Sequence, residues 1–229
     1  MMVLVACESS GVVRSAFRAL GHEAWSCDLL PADDESPFHY HCDLREVVPL
    51  KWDIGIFHPT CTYLTCSAEW AYGDGPYHQK VKAGTLVGAA RREARLEAIE
   101  FVKFIWALDI PRLCIENPKG ALSTKFMKPS QIIQPHYFGD DASKETCLWI
   151  RGMPLLVPTL HVPPRIVEWP KGSGKMVKRW ANQTDSGQNK LTPSDNRWKE
   201  RSKTYQGIAN AMASQWGRPA SVDRESHLN

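Results

Sequence analysis

Long apolar runs are missing from this chain of 229 residues. No stretch approaches the roughly 18–20 apolar residues that a membrane-spanning helix needs, so no membrane segment is expected. The apolar start Met1-Met-Val-Leu-Val-Ala-Cys7 lacks a basic lead and runs straight into Glu8-Ser9-Ser10. It reads as a first strand, not as a signal peptide. Cys-x-x-Cys pairs are missing as well. The seven cysteines, an odd number, are Cys7, Cys27, Cys42, Cys61, Cys66, Cys114 and Cys147. This argues against a disulfide framework and against a zinc site, and for a reducing, cytoplasmic compartment. Most of them sit in strand-like runs as small buried hydrophobes; only Cys61 and Cys66 lie in loop-like contexts. A strong net charge is also lacking: 28 Lys/Arg stand against 25 Asp/Glu, a balance of +3. That sum alone points to no polyanionic partner. There is no internal repeat.

What is present is an alternation of strands and helices. Residues 3–7 read as a buried strand, Glu8-Ser9-Ser10-Gly11 as a turn, residues 12–20 as a helix closed by Gly21, and residues 23–27 as a second strand ending at Asp28. Strand, small-residue turn, helix, strand and acid is the pattern of a nucleotide-binding βαβ unit. Residues 52–57 form a further strand before Cys61. Residues 91–108 carry the apolar spacing of an amphipathic helix. Residues 111–115 are a strand running into Glu116-Asn117-Pro118, and residues 131–133 and 146–150 are strand-like. A glycine-containing stretch between Cys66 and Ala89 has no strong period and is expected to act as a mobile flap. Residues 201–216 return to a helix pattern. An α/β domain with a mostly parallel sheet follows, with ligands beyond the carboxyl ends of the strands. Glu8, Asp28, Asp43, Cys61 and Glu116 would all lie there.

A thiol at one strand end and a carboxylate at another can face each other across a cleft. That pairing suits covalent attack on a heteroaromatic ring with an acid to protonate it. Taken singly, Cys61 also reads as a buried strand-end thiol and Glu116 as a turn cap. Asp28 and Asp43 read as solvated loop acids or helix caps.

Charge is unevenly distributed. Between Arg151 and Arg218 there are 12 Lys/Arg and 4 Asp/Glu, interleaved with Trp169, Trp180, Trp198 and Tyr205. Such a segment can track a phosphate backbone and stack bases, with Lys175, Lys178, Arg179, Arg197, Lys199 and Arg201 as the phosphate contacts. The bland alternative is an irregular solvated surface.

In order and spacing these motifs resemble the cytosine-5 DNA methyltransferase family, and more closely its short, phage-type members. The resemblance runs from Val3 to Trp216. It implies a Rossmann-like S-adenosylmethionine-dependent methyltransferase fold with helices on both faces of the sheet. It implies that residues 1–150 form the catalytic and cofactor-binding core and residues 151–204 a reduced target-recognition segment. Residues 205–217 would then be a helix returning to the core and residues 218–229 a tail. By resemblance, Glu8, Ser9, Ser10, Gly11, Asp28, Asp43, Pro59 and Asn210 bind S-adenosylmethionine. Cys61 is the nucleophile, with Cys66 as its competitor; Glu116 is the acid at ring N3, and Lys144 gives electrostatic support. The partner implied is cytosine-containing DNA in a bacterial or phage-infected cytoplasm. This sequence departs from the family pattern at the single glycine of the first turn, at Thr60 between Pro59 and Cys61, and at Lys144 and Thr146 in place of two arginines. Those departures motivate two alternatives: an inactive homologue that binds nucleic acid or protein, and a methyltransferase acting on RNA or free nucleotide. The mechanism expects Glu116 to sit in a partly desolvated pocket with a raised pKa.

Overall fold

The computed structural model describes residues 1–78, 80–192, 194 and 197–218. Its main sheet has seven strands: β1 (Met2–Ala6), β2 (Glu23–Asp28), β3 (His39–His41), β4 (Ile54–Phe57), β5 (Arg112–Pro118), β6 (Gln131–Ile133) and β7 (Thr146–Arg151). The spatial order is β3-β2-β1-β4-β5-β7-β6. Strands β1 to β5 pair in parallel, while β7 runs antiparallel to both β5 and β6. The order reverses between β1 and β4, which makes the sheet doubly wound. It is a Rossmann-like, mostly parallel sheet with helices on both faces, as the strand–helix alternation implied.

Period-two burial explains why both faces are covered. Val3 and Val5 of β1 and Ile54 and Ile56 of β4 point to one face. There they pack with Val13 and Phe17 of α1 (Val12–Ala19) and with Ile208, Met212 and Trp216 of α6 (Gln206–Trp216). Leu4, Ala6, Phe57, Leu113 and Ile115 point to the other face, against Ile99, Val102 and Ile105 of α3 (Gly88–Trp106). Strands buried on both sides read as near-continuous apolar runs, as a parallel sheet requires. Fully burying one such side chain contributes about 1.5–3 kcal/mol. Two short helices complete this core, α2 (Leu44–Val47) and α4 (Leu122–Lys125).

The chain after β7 is built differently. A two-stranded antiparallel hairpin, β8 (Arg165–Glu168) with β9 (Met176–Arg179), stands apart from the main sheet. Helix α5 (Arg197–Ser202) has no buried residue. Among the described residues no helix is long and apolar enough to cross a membrane. Of the expected tail, residues 219–229 lie outside the described residues.

The beginning of the stretch after Cys66 is tied down. A 3-10 turn, Glu69–Tyr72, is tied to α3 by Arg95 on Glu69 at 2.6 Å. Arg92 reaches both the Tyr72 carbonyl at 2.7 Å and Asp74 at 2.9 Å.

Candidate active-site cleft

A cleft of about 590 Å³ opens over the carboxyl ends of the central strands, at the β1/β4 switch point. Its walls come from the turn after β1, the end of β2, the loop after β4, the end of β5, Lys144 and the segment 198–205. Its size is that of a small-molecule site.

The β4–β5 register builds the chemical end. Phe57 pairs with Ile115, so the next residues, His58 and Glu116, are neighbours. His58 Nδ1 lies 2.9 Å from Glu116 Oε2. One step further, Asn117 Nδ2 donates to the Pro59 carbonyl at 2.7 Å. The ladder is thus continued by two side-chain links that fix the start of the Pro59-Thr60-Cys61 loop. Cys61 then closes a tight turn, its carbonyl accepting from the Leu64 and Thr65 amides at 2.9 Å each. From α3, Arg95 Nε donates to the Tyr63 carbonyl at 2.8 Å, and Arg91 reaches that of Thr62 at 3.4 Å. Gly120 packs flat on the loop: a Cβ there would lie 2.0 Å from the Leu64 carbonyl oxygen.

Cys61 and Glu116 therefore share one cleft, and Lys144 lines it too. Cys66 is exposed and does not line it. Burial pushes the Cys61 thiol up, and the Glu116 carboxylate adds to this, against Lys144 and Arg201. Glu116 departs from expectation. Burial alone would raise its carboxyl, but the His58 hydrogen bond and the positive charges of Lys144 and His58 outweigh that and hold it below the usual range. His58 moves the other way: burial lowers it, yet Glu116 and Glu8 raise it above the ordinary imidazole value. Both shifts favour the charged forms of the two partners. Lys144 Nζ itself donates to the Arg201 carbonyl at 3.1 Å.

The cleft is also lined by Cys7, Glu8, Ser9, Ser10, Asp28 and Asp33. Glu8 is only 6% exposed; its Oε1 accepts from Ser10 Oγ at 2.8 Å and from the Val13 amide at 3.1 Å, capping α1. Its Oε2 is buried with no partner among the described residues. Burial raises Asp28, partly offset by the backbone amides of Leu30 and Leu29. Cys7, at a left-handed φ of 58°, has its thiol pushed up to about 12 by burial and by Asp28 and Asp43.

Three of the expected cofactor residues stand outside this lining. Asp43 caps α2 in a reciprocal box with Glu46 and pairs with Arg45 at 3.0 Å. Gly11 has a φ of 69°, and a Cβ there would meet the buried Arg14 guanidinium at 2.2 Å. Asn210 is exposed on α6 and accepts from Gln206 at 2.9 Å. Pro59 does line the cleft.

The basic residues separate into two sets. Lys199 and Arg201 line the cleft beside Trp198, and Lys199 bridges to Asp33 at 2.8 Å. Lys175 and Lys178 are exposed on the hairpin, whereas Arg179 is spent on the Asp185 and Lys178 carbonyls at 3.0 and 2.8 Å. Arg197 Nε is buried without a partner among the described residues. Trp180 is not free to stack bases: it stacks on His136 at 4.0 Å and donates to the Val162 carbonyl at 3.1 Å.

His58 is the residue that the sequence reading missed. Its signal was present in register form, since it precedes Cys61 by three positions at the end of a strand beside the Glu116 strand. Strand pairing, however, is not written in local periodicity.

No protein-family model matches the chain, and no curated protein matches it either. Solved structures do. One is a prophage-encoded E. coli protein described as a DNA modification methyltransferase, at 12% identity and TM-score 0.45, covering 72% of this chain and 52% of that one. A second is the Dnmt2 methyltransferase of S. pombe, at 14% identity and TM-score 0.40, covering 66% and 48%. A third is a triple mutant of Spodoptera frugiperda DNMT2, at 15% identity and TM-score 0.38, covering 74% and 55%. The chain thus spans about half the length of these structures. Likenesses this distant say nothing about its chemistry.

Proposed function

We propose that the chain transfers a methyl group from S-adenosylmethionine to carbon 5 of cytosine in DNA, through a covalent bond between Cys61 and ring carbon 6. The observation that carries this reading is the shared cleft. Cys61 and Glu116 line it together with the Glu8–Ser10 turn and the Asp28 carboxylate. The cleft fits the cofactor in kind: strand-end carboxylates suit hydroxyl and amine groups, and the unpartnered Glu8 Oε2 awaits a donor. Glu8, Ser9, Ser10 and Asp28 would hold it, with Asp33 added; when bound, it supplies the methyl group.

The chain's own residues do the rest. Carbon 5 of cytosine is a poor nucleophile, and thiolate addition at carbon 6 makes it an enamine. Cys61 must lose its proton at the moment of attack, because burial disfavours a standing thiolate. Glu116 holds a proton at ring N3, and Lys144 steadies the charge. In a duplex the base has to leave the stack to reach this depth. Residues 151–204 are the target-contacting segment. Lys199, Arg201 and Trp198 lie nearest the cleft, and Lys175 and Lys178 lie further out along the backbone.

The test is nucleoside mass spectrometry of DNA from cells expressing the chain, with oligonucleotides containing 5-fluorocytosine as covalent traps. A 5-methylcytosine gain, with trapping lost in Cys61→Ala and kept in Cys66→Ala, supports the reading. Nucleic-acid binding without transfer or trapping would leave the inactive-homologue reading; transfer to RNA or nucleotide alone would move the substrate.

A further inference from the structure

Glu116 raises a chemical difficulty for the function just proposed, on which this inference rests. A group that presents a proton to ring N3 has its carboxyl held below the usual range here, which favours the carboxylate. The proton must come from a neighbour, and His58 is the neighbour in hydrogen-bond contact, Nδ1 to Oε2 at 2.9 Å. Both side chains are about nine-tenths buried, 9% and 10% exposed, so water does not readily replace either partner. The charged groups facing the imidazole are Glu116 on β5, Glu8 on the turn after β1 and Lys144 before β7. Two carboxylates against one ammonium favour the charged ring. His58 Nε2 is buried with no hydrogen-bond partner among the described residues, so the ring is linked on its Nδ1 side alone.

We propose that His58 is a positioning residue that supplies Glu116 with the proton delivered to the target base. As the Cys61 sulfur bonds to carbon 6, the C5=C6 pair moves to C4–C5 and the C4=N3 pair moves to N3. N3 takes a proton from Glu116, and Glu116 takes the Nδ1 proton of His58. The imidazolium becomes neutral and the carboxylate is restored. As carbon 5 takes the methyl group, C4=N3 re-forms and N3 returns its proton along the same path. Water acting as a general base then removes the carbon-5 proton, C5=C6 re-forms and Cys61 leaves as thiolate, so no outside acid is consumed.

His58→Asn retains an N–H that can reach Glu116 but carries no titratable proton. It should lower kcat roughly 10²-fold, the low end for acid–base groups, with KM for DNA little changed. The fall of kcat at high pH, which His58 sets in the wild type, should vanish. A variant matching wild type in kcat and in that high-pH fall would reduce His58 to a structural hydrogen-bond donor and overturn the proposal. An NMR titration of the His58 ring needs no turnover. It should place the wild-type ring above 6.5, the ordinary value, and the Glu116→Gln variant lower. A ring already neutral in the wild type below that value overturns the relay even if His58→Asn fails to fold. A wild type that titrates high but transfers nothing to cytosine would sink the function itself, and the relay with it.

Discussion

The sheet and the segment after β7 solve the same problem, holding functional side chains in place, by different means. Around Cys61 and Glu116 the links are backbone register and mostly buried or part-buried hydrogen bonds, and both faces beneath are packed apolar layers. Along residues 152–204 the links are mostly exposed: Arg165 to Asp185 at 2.5 Å and Arg179 to carbonyls. Exposed ion pairs contribute little. The first region is therefore expected to be rigid and intolerant of change, and the second adaptable.

The largest effect should come from Cys61→Ala, which is expected to lower transfer by several powers of ten while leaving cofactor affinity, read by calorimetry, nearly unchanged. Retained trapping in this variant would move the chemistry out of the rigid region. Next, Glu116→Gln should reduce turnover roughly 10²–10⁴-fold.

It should also change stability with pH, and the sign follows from the pair. Glu116 is depressed, so its contribution is lost as pH falls through its lowered folded value. His58 is raised, so its contribution is full below its unfolded value and is lost as pH rises through its raised folded value. The pair's contribution is thus greatest between the two, and denaturant midpoints of wild type minus Glu116→Gln should trace a dome. A flat difference would mean the pair is not ionised.

Gly120→Ala should cost about 1–3 kcal/mol, because its methyl collides with the Leu64 carbonyl. Trapping by Cys61 should slow in step with the lost stability; an unaffected Tm and trapping rate would show that the loop yields easily. In the adaptable region the expected effects are smallest on stability and separate on binding. Trp198→Ala should weaken DNA by about 1–3 kcal/mol if a base stacks there, with Tm unchanged. Trp180→Ala should do the reverse. Lys175→Ala with Lys178→Ala should flatten the log–log salt dependence by about 1.4–1.8 units; an unchanged slope would place the phosphate path elsewhere.

Local pattern made β1, β2, β4 to β7, α1, α3 and the Cys61 and Glu116 strand ends readable, because apolar spacing and turn residues act over a few positions; the short β3 and the exposed β8–β9 hairpin carry no such pattern. Asp43 was readable as a cap, too: Asp43 and Glu46 stand at capping-box spacing. The direction of the Glu116 shift was not, since it depends on which side chain the neighbouring strand brings alongside. Trp180 looked like a base-stacking aromatic because composition cannot tell an exposed ring from one laid on His136.

One consequence of the β4–β5 pairing concerns insertions. The same separation of 58 positions links both His58 to Glu116 and Asn117 to the Pro59 carbonyl. Residues may be gained or lost between α3 and the 3-10 turn without touching either link, since both partners keep their place on their own strand. A single residue inserted within residues 54–58 or 112–116 shifts one strand against the other and breaks the matched spacing of these partners. Variation in length is therefore cheap on one side of this boundary and ruinous on the other, even where each individual substitution is mild.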